Sequence, residues 1–81
     1  NNAVYQNDLG NAFFYRGDYH KAGEHYLKAI KLSPEINDYV LNLINTCGQL
    51  EDLDNALSLL ESASKLVPNN IDIIQAIENL F

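Results

Sequence analysis

Two histidines and one cysteine, His20, His25 and Cys47, are the residues of this chain best suited to chemistry. On a helix, a spacing of five residues turns His20 and His25 about 140° apart, so one face does not offer both to a metal. No His-Glu-x-x-His pair, no second cysteine and no glycine-rich phosphate loop accompanies them, which removes the common zinc, disulfide and nucleotide signatures. Nothing basic lies near Cys47 in sequence to favour its thiolate, so it reads as a small core residue. Both histidines read as surface positions. No enzyme, cofactor or metal is expected. The remaining polar signal is asparagine: Asn11, Asn45 and Asn79 recur every 34 residues. An amide both donates and accepts, which suits it to the N–H and C=O groups of another chain.

The same spacing of 34 relates Tyr5 to Tyr39, Leu9 to Leu43, Asp18 to Asp52, Ala22 to Ala56, Ala29 to Ala63 and Pro34 to Pro68. A fixed period of this length marks stacked supersecondary units. Within it, apolar residues recur at helical spacing. Asn1 or Asn2 caps a first helix carrying Tyr5, Leu9, Ala12 and Phe13. Gly17 ends it, since a left-handed residue after a helix costs least as glycine. Asp18 then caps a second helix with Tyr19, Ala22, Tyr26, Ala29 and Ile30. Pro34 ends that helix or opens the turn after it. A third runs from about Ile36 through Tyr39, Val40, Leu43, Ile44 and Cys47. Asp52 caps a fourth carrying Leu53, Ala56, Leu57, Leu60, Ala63 and Val67. Asn69 or Asn70 caps a fifth, Ile71 to Phe81. The expected fold is all-α, with units at 3–36 and 37–70 and a partial third at 71–81.

Eleven acidic residues against five basic ones give a net charge of −6. Nucleic acid is a poor partner for such a chain, because phosphate binding needs Lys and Arg. An anionic membrane surface is equally poor, and no apolar run is long enough to span a bilayer. A basic protein partner fits better. The chain has no methionine, so it reads as a piece of a longer one.

These residues resemble the tetratricopeptide repeat, a 34-residue unit with a W-x2-L-G-x2-Y…A-x3-F…P skeleton. The first unit supplies Leu9, Gly10, Phe13, Gly17, Ala22, Tyr26, Ala29 and Pro34, with Gln6 in the tryptophan slot. The second supplies Leu43, Ala56, Leu60, Ala63 and Pro68, but holds Ile44 and Glu51 where the first has Gly10 and Gly17. Ile44 is expected to widen the spacing of its helix pair. Glu51 in a left-handed turn would cost about 1–2 kcal/mol, so the third helix is expected to end early, at Gly48. The resemblance implies a right-handed α-solenoid of antiparallel helix pairs, about two and a half units. A closed bundle of unrelated helices is the plain alternative. The pentatricopeptide repeat, an RNA-reading relative, is disfavoured by the acidic charge and the unbroken spacing.

The resemblance further implies a protein–protein interaction scaffold that takes a peptide or helical segment in a concave groove lined by the first helix of each unit. The slot after Leu-Gly faces that groove, and Asn11, Asn45 and Asn79 occupy it. Neighbouring slots hold Asn7, Asp8, Tyr15, Asp38, Leu41, Asn42, Gln49, Asp72, Gln75 and Ala76. A subgroup of the family grips a chaperone's terminal carboxylate through cationic slots. Here those slots hold Asn7, Asp72 and Ala76, so that ligand is not expected. The alternatives are stacking between copies and a regulatory segment of a larger enzyme. The stacking would use Ile73, Ile74, Ile77, Leu80 and Phe81, which the fourth helix is not expected to cover in full.

Overall fold

Capping side chains set where most of the helices begin. In the computed structural model, which covers residues 1–81, Asn1 accepts the Val4 N–H and starts α1, Asn2–Tyr15. Asn70 accepts the N–H groups of Asp72 and Ile73 and starts α5, Ile71–Asn79. Asp52 accepts those of Asp54 and Asn55 and starts α4, Leu53–Leu66. Each such bond satisfies donors that the first helical turn leaves free. Asp18 stands at the same position before α2, Tyr19–Leu32, yet its side chain caps nothing. Ile36 precedes α3, Asn37–Gln49, and has no side chain able to cap it. The chain is thus five helices and no strand, an all-α fold as expected.

Gly17 carries the one positive φ of the chain, +83°. It closes a paired set of bonds after α1, from Gly17 N–H to the Phe14 carbonyl and from Asp18 N–H to the Phe13 carbonyl. This is the Schellman arrangement, which needs a left-handed residue at that point. After α3 the chain leaves differently. Gly48 stays helical, the helix runs to Gln49, and Leu50 exits extended at φ −74°, ψ 132°. Glu51 therefore avoids the left-handed region by an extended exit, and the early end expected at Gly48 does not occur.

The proline turns repeat closely. After α2, Ser33 N–H bonds to the Ala29 carbonyl at 2.9 Å, and Ile36 N–H bonds to Ser33 at 3.1 Å. After α4, Val67 bonds to Ala63 at 2.9 Å and Asn70 to Val67 at 3.1 Å. Pro34 and Pro68 occupy the second position of these turns, where their locked φ is an advantage. α2 and α4 end before them, so the prolines open the turns.

The helices pack in chain order, in two layers. α2 and α4 lie side by side in one, and α1, α3 and α5 make up the other. The Cα extents of 35 × 28 × 15 Å fit two helical layers at ordinary interaxial spacing. Ala22, Ala29, Ile30, Val40, Leu43, Ala63 and Ile73 have no exposed surface at all. α1 and α2 approach closely along their length, whereas α3 and α4 make far fewer close approaches. The widening expected from Ile44 is present.

α1 does not bury the stripe its apolar letters suggest. Tyr5 and Ala12 are exposed, while Ala3 and Gly10 are buried and Gln6 and Phe13 half-buried. Gln6 turns inward because His25 of α2 meets it: His25 Nδ1 lies 2.8 Å from Gln6 Oε1. Along α4, Leu53 is exposed, and Leu59, outside the expected apolar set, is 6% exposed and fills the core over Gly23. α5 ends at Asn79, two residues short of Phe81. Of its apolar set, Ile73 is fully buried, Ile77 and Leu80 are half-buried, and Ile74 and Phe81 are exposed.

Candidate functional site

The layer formed by α1, α3 and α5 presents the polar positions singled out in the sequence. Gly10 lets the Tyr26 ring lie against the α1 backbone; a Cβ there would sit 2.6 Å from the ring. That seats the Tyr26 hydroxyl where it donates to Asn11 Oδ1. Burial, together with Tyr15 nearby, raises the pKa of Tyr26, so the hydroxyl keeps its proton and remains a donor. One helix on, Asn42 donates from Nδ2 to Asn7 Oδ1 at 2.9 Å and ties α3 to α1. Thr46, fully buried, returns its hydroxyl to the Asn42 carbonyl at 2.8 Å. Asn11, Phe14, Tyr15, Tyr26, Asn42 and Asn45 line a small hollow of about 60 Å³ between the two helices. Tyr15, 85% exposed, stands at its edge.

A second hollow of about 200 Å³ lies between α3 and α5, lined by Leu41, Ile44, Asp72, Gln75, Ala76 and Asn79. It adjoins a more apolar one of about 270 Å³ that shares Ile44, Ala76 and Asn79 and is floored by Cys47, Leu60 and Leu80. Asp72 accepts from Asn37 Nδ2 at 3.1 Å, and Asn37 in turn accepts from Asn70 Nδ2 at 2.8 Å. Asp72 is thus half-buried at the start of α5. Asp8 and Asp38 are exposed on α1 and α3 and line none of these hollows.

The asparagines separated by 34 residues do not share one environment. Asn11 is tied to Tyr26, whereas Asn45 and Asn79 are exposed and make no side-chain hydrogen bond within the chain. The residue matching Tyr26 in the second unit is Leu60, which has no hydroxyl to hold Asn45. No lysine or arginine lines any of the three hollows on this face.

The residues suited to catalysis are placed otherwise. Cys47 is buried, and burial pushes its thiol pKa up to about 12, so it stays protonated; Sγ lies 3.7 Å from the Ala56 carbonyl. His20 is exposed and pairs with Glu24 at 3.0 Å. His25 is half-buried rather than fully exposed. It stacks on Phe13 at 5.3 Å between ring centroids and 9° between planes, with its other contact to Gln6. Arg16 and Lys21 also lie over the Phe13 ring, 5.9 and 5.6 Å from its centroid. The Gln6–His25 bond joins residues 19 apart in the chain. The available signal was the pairing of an amide in a tryptophan slot with a histidine one helix later.

This architecture defines a class of helical-repeat proteins in which paired helices stack into an open array. A family model for the tetratricopeptide repeat matches residues 3–36. That stretch is similar to the tetratricopeptide repeat, and the all-helical architecture is consistent with it. No curated protein matches it. Tetratricopeptide repeats are in general protein–protein interaction modules, and the family is typically a non-catalytic scaffold. No helix is long and apolar enough to cross a membrane.

Proposed function

We propose that this chain is a non-catalytic scaffold that holds a basic segment of a partner protein along the face of α1, α3 and α5. In this reading residues 3–36 and 37–70 are its two full units and 71–81 begin a third. The observation that carries the reading is the asymmetry of that face. It offers free amides at Asn45 and Asn79 and carboxylates at Asp8, Asp38 and Asp72, with no lysine or arginine among its hollows. Free amides pair with the N–H and C=O of an incoming chain without reading its side chains. The carboxylates then favour Lys and Arg. Tyr15 offers an exposed ring edge or face to a cation. Asn7, Asn11 and Asn42 act mainly by fixing the geometry of the first hollow, since each already has a partner.

Exposed ion pairs contribute about 0.2–1 kcal/mol each, so binding is modest and weakens with salt. The test uses fluorescence anisotropy with a labelled Lys-rich peptide and its Gln-substituted counterpart. Asn45→Ala with Asn79→Ala weakens both peptides. Asp8→Lys with Asp38→Lys weakens the Lys-rich one alone. Equal binding of both peptides to every variant would refute this use of the face.

A further inference from the structure

The opposite layer carries a second surface with the reverse polarity. Between α2 and α4 lies an open groove of about 330 Å³, lined by Leu27, Lys28, Lys31, Ser62, Lys65 and Leu66. It gathers three of the five cationic residues of a chain whose net charge is −6. The only side-chain ion pair in the molecule is His20 with Glu24, so all three lysines are unpaired. This includes Lys65, although Glu61 stands four residues before it on α4. Lys31 and Lys65 sit in the last turns of their helices, where a cation complements the helix dipole. That accounts for two of the three. It does not account for Lys28, a full turn further in, nor for the leucines beneath them. Leu27 and Leu66 are half-buried against the core and still line the groove.

We propose that this groove docks an acidic, amphipathic segment of a partner protein, with apolar side chains over Leu27 and Leu66 and carboxylates reaching Lys28, Lys31 and Lys65. The charge complementarity is local: the net charge of the whole chain is −6, and three of its five cationic side chains line this groove. A nucleic acid is the poorer occupant. No aromatic side chain lines the groove to stack a base, and the surrounding acidic surface repels a polyanion over the length it would span. An anionic bilayer meets the same repulsion across a wider area. A short peptide engages the groove alone, and its leucines gain from the apolar floor. This surface is separate from the face of α1, α3 and α5, and its occupancy does not depend on that face being used.

The probe is a fluorescein-labelled amphipathic peptide of alternating helical Leu and Glu positions, with a second peptide carrying Gln for every Glu. Expected is saturable, salt-sensitive binding of the Glu peptide, at least roughly tenfold tighter than the Gln peptide. Lys28→Gln with Lys31→Gln and Lys65→Gln removes that preference, and the matching Arg substitutions retain it. Arg16→Gln with Lys21→Gln, two cations outside the groove, leaves it within about twofold, which separates a local site from net charge. Circular dichroism melts confirm that each variant is folded. Equal binding of both peptides overturns the proposal, as does an unaltered preference in the triple Gln variant. Tighter binding to phosphatidylserine vesicles or to single-stranded RNA than to the Glu peptide, or self-association that the triple Gln variant abolishes, overturns the choice of occupant and with it the proposal.

Discussion

The helix pairs α1–α2 and α3–α4 follow one plan, yet they solve its internal contacts with different chemistry. In the first, Gly10 and Tyr26 interlock, the ring lying on bare backbone and its hydroxyl reaching Asn11. In the second, Ile44 and Leu60 occupy the matching positions, bulk having moved from one helix to the other. The first pair of helices is close and the second more open. A second contrast lies beside this one. Gln6, Phe13 and His25 form a half-polar cluster in the first half of the chain; Val40, Cys47 and Leu59 form a dry one in the second, each at most 6% exposed. Helix packing of this kind needs matched volumes at a crossing and tolerates several pairs that provide them.

The largest expected effect comes from breaking the Gly10–Tyr26 match. A side chain on Gly10 meets the Tyr26 ring at 2.6 Å, so Gly10→Ile overpacks the crossing by about 3 kcal/mol. Adding Tyr26→Leu recreates the pairing of the second unit. The double variant should be more stable than the sum of the two single changes by at least about 1 kcal/mol. Urea denaturation of all four proteins measures this. Strict additivity would mean that the two units do not exchange bulk at this crossing.

The turns separate next. Gly17 is left-handed at φ +83°, so Gly17→Ala should cost about 1–2 kcal/mol. The matching change, Glu51→Gly, relieves no strain, because the second turn has no positive φ. It should leave the melting temperature unchanged or lower it slightly through unfolded-state entropy. A stabilising Glu51→Gly would show that the extended exit at Leu50 is a compromise.

Capping gives a smaller, cleaner contrast. Asp52 holds two backbone N–H groups and Asp18 none. Asp52→Ala should therefore cost about 1 kcal/mol, and Asp18→Ala should have almost no effect on a thermal melt. A comparable loss at both positions would contradict the difference in their side-chain bonding.

The local rules made much of this visible in the sequence. The helix order, the turns at Pro34 and Pro68 and the left-handed Gly17 each depend on a few adjacent residues. The more open second pair is in line with Ile44 standing where the first has Gly10. What stayed hidden depends on partners far along the chain. Gln6 looks solvated until His25 arrives from α2, and Asn11 looks equivalent to Asn45 until Tyr26 takes it. The same holds for Asp18 and Asp52, identical letters at identical positions. In the first turn the Asp18 N–H is used to close the Schellman bond to Phe13, and the side chain goes unused. Residue types on the candidate face were legible; which amides are free was a question of tertiary contact.

The half-polar cluster should also make the first unit sensitive to pH where the second is not. Burial lowers the pKa of His25 from its ordinary 6.5, and Lys28 and Lys21 push in the same direction while Glu24 opposes them. The folded chain therefore keeps His25 neutral at pH values where the unfolded chain protonates it. Between the folded pKa and 6.5 the unfolded state binds more protons, so stability rises with pH across that window and is lost as pH falls through it. Above about 6.5 the contribution is complete. Phe13 stacks on the neutral imidazole, with Arg16 and Lys21 already close to the same ring, so a further positive charge has little to compensate it. The matching residue of the second unit is Leu59, buried and without charge. His25→Leu should then flatten the pH dependence of the melting temperature between pH 7 and 5, whereas Leu59→Ala, though destabilising, should leave the slope as it is. An unchanged slope in His25→Leu would place the proton-sensitive contact elsewhere in the chain.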